Sequence, residues 1–189
     1  LFSFARGYNW GTHTSESNGL RPHTAFLSML MRNNYAKGAM VTTSVTNSPI
    51  TPMPFIDSDS GVFANGVYDT TSTEAPAGNY ENIAAYSFKD NGNYSVFVLN
   101  RNITINTPVL LQLPVASIHD SVTLYSLSGD PLKSNIDSLI FSVQKQNISS
   151  VFTGNTYNFT MPAGSVYLFR ITNNITTIVN EILKKSDVV

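Results

Sequence analysis

From residue 39 onward, short runs of alternating apolar and polar positions follow one another, each bounded by Gly, Pro, Asn, Asp or Ser. The runs cover 40–46, 62–68, 82–88, 94–100, 108–113, 122–127, 139–143, 157–161 and 165–171. Their spacing of about 8–15 residues is that of an all-β domain built from antiparallel strands. The last run is apolar on both faces. Val166 and Leu168 point one way, and Tyr167, Phe169 and Ile171 the other. A strand of this kind is covered on both sides and belongs in the middle of a sheet, with 94–100 as its expected neighbour. Asn91-Gly92, between two alternating runs, predicts a tight hairpin, because a type I′ turn needs φ > 0 at both central residues. The Pro162-Ala163-Gly164 corner joins the last two runs. The segments 47–61 and 69–80 read as long loops.

Two stretches have helical period. In 21–37, Ala25, Phe26, Met29, Leu30 and Asn33 fall at i, i+3, i+4 and i+7, with Pro22 placed for a first turn and Gly38 beyond the end. Near the C-terminus, Ile175, Ile178, Val179 and Ile182 are followed by Lys184 and Lys185, where cations are favoured. The expected architecture is mainly β. Residues 1–38 form one β/α unit, 39–172 an antiparallel β-sandwich of about eight or nine strands, and 173–189 an amphipathic helix or tail. A lone β/α unit cannot bury its own faces, and the sandwich offers it no evident neighbour.

Charged residues make up only 12% of the chain, half the usual share of roughly 25%, and the net charge is −1. The chain therefore lacks the electrostatic footprint of a nucleic-acid or anionic-membrane binder. Its polar surface must come from Ser, Thr and Asn, which suits an extracellular or secreted β protein. There are no cysteines, so disulfides, thiolate metal sites and a Cys nucleophile are excluded. No run of about 18 apolar residues is present to span a membrane. The chain opens Leu1-Phe2-Ser3-Phe4, without a start Met or a basic leader, and reads as cut from a longer protein.

Sequons at Asn93, Asn102, Asn147, Asn158 and Asn174 mark candidate glycosylation sites. Roughly four would arise by chance in so Asn-, Ser- and Thr-rich a chain.

A set of short motifs points further. Asn82-Ile-Ala-Ala-Tyr-Ser precedes Tyr94-Ser-Val-Phe-Val-Leu-Asn100-Arg101-Asn102. Pro108-Val-Leu-Leu-Gln-Leu, Val122-Thr-Leu-Tyr-Ser-Leu and Met161-Pro-Ala-Gly-Ser-Val-Tyr-Leu-Phe-Arg-Ile171 follow. This pattern resembles the C-terminal sandwich of retaining clan A glycoside hydrolases such as α-L-arabinofuranosidases and β-xylosidases. In these, an apolar strand ends in Asn-Arg or Asn-Lys, and a Pro-Ala-x-Ser-Val-like corner opens the last strand. The resemblance covers about 39–172. It implies that 2–10 is the last strand, and 21–37 the last helix, of a (β/α)8 barrel whose upstream part is the partner of this chain. It further implies that Trp10, following that strand, contributes to a sugar pocket, with Tyr8, Asn9 and His13 on the same loop.

Retaining glycosidases need two carboxylates about 5–5.5 Å apart. The resemblance places both before Leu1, and none of Glu16, Glu74, Glu81 and Glu181 sits in a matching motif. No catalytic residue and no cofactor is therefore assigned to this chain. His13, His23 and His119 match no metal-ligand spacing, and Asp57-Ser-Asp59-Ser-Gly61 lacks the downstream Glu of a calcium loop, so no metal is assigned either. No nucleophile elbow supports Ser-His-Asp chemistry. Three readings stay open. The chain is the non-catalytic end of a polysaccharide-degrading glycosidase, a carbohydrate-binding accessory sandwich, or an extracellular structural protein such as a surface-layer or filament subunit. Scarcity of Trp weighs against the second. In the third, residues 1–11 would be a strand donated to a neighbour.

Overall fold

The computed structural model describes residues 13, 19–53, 78–113, 121–130, 135 and 141–172. The expected strand at 62–68, all of residues 1–12 and the C-terminal segment 173–189 lie outside these. Among the described residues the elements are α1 (Thr24–Tyr35), β1 (Ala39–Val41), β2 (Ile50–Met53), β3 (Gly78–Glu81), β4 (Ile83–Asp90), β5 (Asn93–Asn100), β6 (Thr107–Gln112), β7 (Ser121–Leu127), β8 (Gln144–Asn147), β9 (Thr156–Met161) and β10 (Val166–Thr172). The architecture is mainly β and antiparallel throughout, as the alternation predicts.

The largest sheet has six strands in the order β1-β4-β5-β10-β7-β8; β6 pairs with β9 and β2 with β3 in two-stranded ribbons. The last strand among the described residues, β10, sits between β5 and β7, with Phe169 opposite Val96 on one side and Leu124 on the other. Its two apolar faces feed two separate cores. Phe169 and Ile171 join Val96, Val98, Val122 and Leu124 beneath the β6–β9 ribbon, whose Val109, Leu111, Tyr157 and Phe159 pack on that face. Leu168 joins Phe97, Tyr125 and Leu127 on the opposite face, under Leu27 and Met31 of α1. Leu168 and Phe169 are both fully buried, so this one strand supplies side chains to two layers.

The β4–β5 hairpin turns at Asn91 (φ +48°) and Gly92 (φ +83°), with Asp90 opposite Asn93. Both central residues lie at positive φ, the conformation that a type I′ turn requires.

Several expectations at the element level are corrected. The helix is 12 residues long and begins at Thr24, with His23 as its N-cap, so Pro22 lies outside it. Pro22 is instead held by an antiparallel bridge to His13, and its carbonyl accepts from Asn135 Nδ2 at 2.8 Å. The sheet-facing stripe is Leu27 and Met31, both buried, with half-buried Tyr35, at i, i+4 and i+8, whereas Met29 and Leu30 are exposed. The helix also finds its neighbour within the chain: it packs on the six-stranded sheet, where Tyr35 stacks on Tyr125 at 3.8 Å and Ser95 Oγ donates to the Tyr35 carbonyl at 3.1 Å. Residues 47–61 and 69–80 are not wholly loop, since β2 and β3 pair within them, with Pro52 opposite Asn79. In a two-stranded ribbon, proline at an edge costs no central ladder bond. The expected strand at 139–143 is displaced: 141–143 is irregular, and the pairing falls to β8, whose four residues are all exposed. An edge strand of polar residues has no buried face to produce alternation.

Candidate functional site

The chain passes from the six-stranded sheet to the β6–β9 ribbon after β5 and, after a return through β7 and β8, again from β9 back to the sheet before β10. The crossings β5–β6 and β9–β10 lie side by side, and buried asparagines tie them together. Asn100, 2% exposed, donates through Nδ2 to the carbonyls of Met161 (3.1 Å), Pro162 (3.0 Å) and Ile105 (2.9 Å). Its Oδ1 accepts from Asn102 N at 3.1 Å, and its backbone N donates to the Ser165 carbonyl at 3.0 Å. Gly164, at φ +59°, donates its N–H to the Asn102 carbonyl at 2.7 Å. The Asn-Arg-Asn and Pro-Ala-Gly-Ser stretches that carry the family resemblance are therefore two halves of one corner. Each half supplies the hydrogen bonds that the other's irregular backbone needs.

Asn102 extends this network. Its Oδ1 accepts from Thr104 N, Thr104 Oγ1 and Ile105 N, each within 3.0 Å. Its Nδ2 donates to Thr51 Oγ1 at 2.8 Å, which in turn donates to Asn82 Oδ1 at 2.6 Å. Arg101 reaches back over the Tyr80 ring at 5.6 Å and donates to the Glu81 carbonyl. Another buried asparagine, Asn135, ties Pro22, just ahead of α1, to Phe141, donating to both carbonyls and accepting from Phe141 N at 2.7 Å.

A groove of about 300 Å³ opens between the start of α1 and the double corner, at the lower end of ligand-pocket sizes. Ala25, Ser28, Ile103, Leu127, Phe141 and Val166 are among its walls, and no ionisable side chain among the described residues lines it. Such a lining can hold an apolar or neutral group but cannot transfer a proton. His23, just before α1, is buried, and its Nε2 has no hydrogen-bond partner among the described residues. The described carboxylates Glu81, Asp90 and Asp130 lie on β3, on the β4–β5 hairpin and after β7. Among the described residues no group of His, Asp and Glu is arranged to hold a metal ion.

Of the residues that the sequence singles out for sugar contact, Tyr8, Asn9 and Trp10 lie outside the described residues. His13 is described. It bridges Pro22, and its ring sits 4.7 Å from that of Phe26, tilted by 49°. Of the sequons, Asn158 is exposed on the outer face of β9, and Asn147 is exposed at the end of β8, where its Oδ1 accepts from Ser149 N and Oγ. Asn93 is half-buried at the start of β5. Asn102 is 3% exposed, and Nδ2, the atom a glycan would take, is committed to Thr51. Asn174 lies outside the described residues, as do His119 and 57–61. Sequence reasoning treated Asn100 as the end of a strand and missed its role. The signal was present in the polar Asn-Arg-Asn triplet that directly follows a run of buried residues.

No protein-family model matches this chain, and no curated protein matches it. Solved structures do. An arabinofuranosidase superposes over 86% of the chain with a TM-score of 0.61 at 12% identity. The α-L-arabinofuranosidase of Thermotoga maritima, solved with arabinose, matches over 85% with a TM-score of 0.60 at 14% identity. A family 51 α-L-arabinofuranosidase from Bifidobacterium longum matches over 86% with a TM-score of 0.57 at 18% identity. The chain spans about a third of the length of each, 32%, 31% and 29% respectively. Its fold is thus the fold of one portion of these glycoside hydrolases, in keeping with the architecture that the sequence motifs imply.

Proposed function

We propose that this chain is the C-terminal, non-catalytic part of a secreted glycoside hydrolase acting on plant-type or other polysaccharides. The observation that carries the reading is the match of 85–86% of the chain to about one third of several arabinofuranosidases. The motif residues that suggest such enzymes are also the ones that build the double corner. In this reading the sandwich stabilises a (β/α)8 barrel encoded before residue 1. That barrel supplies the nucleophile and the acid/base carboxylate. Trp10, with Tyr8, Asn9 and His13, lines the sugar site at the mouth of the barrel, where an indole face can stack on the C–H surface of a sugar. The low charge and Ser-, Thr- and Asn-rich surface support an extracellular location. The exposed Asn147 and Asn158 are the sequons that the folded domain can present to a glycan.

The contribution of this chain to the sugar site is tested in the full-length protein. Trp10→Ala is expected to lower kcat/KM for hydrolysis of an aryl glycoside about tenfold, ~1.4 kcal/mol of lost transition-state binding. An unchanged kcat/KM removes Trp10 from the site.

A further inference from the structure

The register of the six-stranded sheet sets Ser95, Arg170, Thr123 and Asn147 in one transverse row, each opposite the next on β5, β10, β7 and β8. The row lies on the face that carries α1, since Phe97, Leu168 and Tyr125 of that core stand two residues away along the same strands. The helix ends over it. Tyr35 stacks on Tyr125, and its carbonyl accepts from Ser95 Oγ. The chain then leaves for β1, on the far side of β4.

Arg170 is half-buried, and its guanidinium makes no hydrogen bond, ion pair or ring contact among the described residues. The acceptors at the end of the helix are already taken. The carbonyls of Arg32, Asn33 and Tyr35 accept from Ala36 N, Lys37 Nζ and Ser95 Oγ. Of the described carboxylates, Asp90 stands on β4, two strands from β10, while Glu81 lies on β3 and Asp130 beyond β7. Five N–H donors are thus left for water or a ligand. Thr123, opposite Arg170, is half-buried, and on the edge strand the exposed Lys145 holds a second cation 5.9 Å from the Tyr125 ring. Arg170 and Lys145 are two strands apart, about 10 Å across the sheet. We propose that this strip binds the carboxylate of a uronic-acid unit in a polysaccharide. Arg170 grips the carboxylate through paired N–H donors, the Thr123 hydroxyl lies beside it, and Lys145 adds attraction along the strip. The choice of a polysaccharide as carrier rests on the glycoside-hydrolase reading; the carboxylate site itself does not.

The test is affinity electrophoresis of the full-length protein through gels containing polygalacturonate, at low salt. The protein is made in a host that attaches no N-glycan, so that Asn147 beside the strip is bare. The expected result is retardation by polygalacturonate and little by its methyl-esterified form. In Arg170→Gln the apparent Kd rises about tenfold while circular dichroism is unchanged. Equal retardation by the ester, or an Arg170→Gln variant that migrates like the parent, overturns the proposal. Retardation by heparin as strong as by polygalacturonate also overturns it and assigns the effect to unselective charge attraction. Should Arg170→Gln lose its dichroism, Lys145→Gln on the exposed edge strand carries the same readout, with binding weakened about threefold. Glycoside hydrolysis without retardation removes the strip alone. Retardation without hydrolysis removes the glycosidase reading and keeps the strip.

Discussion

Asn100 shows how much one side chain can hold. Its side chain makes four hydrogen bonds, all to backbone; those to Met161 and Pro162 span 61 and 62 residues of sequence, and those to Asn102 and Ile105 are local. Replacing it with Ala removes the buried donor to the Met161 carbonyl and the part-buried donors to Pro162 and Ile105, of which the Pro162 carbonyl keeps Ser165 Oγ as a partner. Asn100→Ala is expected to cost about 2–4 kcal/mol in urea denaturation, more than an exposed asparagine would. A loss below ~1 kcal/mol would show that the two crossings hold without it. Tyr167 makes a second residue-scale case. It stacks on Phe159 at 5.8 Å beneath the ribbon, and burial, followed by the neighbouring Tyr157, raises its phenol pKa above the ordinary 10.0. The folded state therefore holds this proton more tightly than the unfolded chain does. Its contribution to stability is complete below pH 10.0 and declines as pH rises through the folded value. Alkaline unfolding curves should show a loss of stability above that pH that is smaller in Tyr167→Phe.

Among the elements, β10 does the most. It pairs on both edges with β5 and β7 and feeds a core on each face, so removing one large side chain opens a cavity that its neighbours cannot readily fill. Phe169→Ala is expected to destabilise by about 3–5 kcal/mol, measured by thermal or urea unfolding. Phe169 touches Tyr157, Phe159 and Tyr167 in ring contacts at 5.3–6.3 Å, so the loss extends through the aromatic layer. This strand, its partner β5 and the Asn91-Gly92 turn were legible in the sequence because each combines strong alternation with a required turn residue. Helix α1 was legible only as a helix. Ala25, Phe26, Met29 and Leu30 satisfy the helical period as well as Leu27, Met31 and Tyr35 do, and periodicity alone cannot tell which of two apolar stripes faces the sheet. Edge elements were the least legible. The ribbon β2–β3 carries three prolines in or beside one strand, and β8 is polar throughout, so neither has the alternation that burial of one face imposes. The corner was half-legible. Its motifs stood out, but the contact between Asn100 and Pro162 is set by topology and has no local signal.

For the whole molecule, the order of construction explains why the distinctive residues are structural. The strand β10 inserts centrally in its sheet, and Asn100 and Asn102 tie the β5–β6 and β9–β10 crossings together through the backbone of Met161, Pro162, Gly164 and Ser165. Among the described residues, the groove beside them is lined by apolar and small polar side chains and glycine. The central claim is that the chemistry belongs to a barrel encoded upstream, with this chain as its support and as one wall of its sugar site. The most direct measurement compares the 189-residue chain with the product of the complete reading frame that contains it, on a panel of aryl glycosides and polysaccharides. Glycosidic hydrolysis with retained anomeric configuration by the complete protein, and none by the chain alone, is the predicted result. Equal hydrolysis by the chain alone, or a complete reading frame with no barrel before residue 1, would contradict the account.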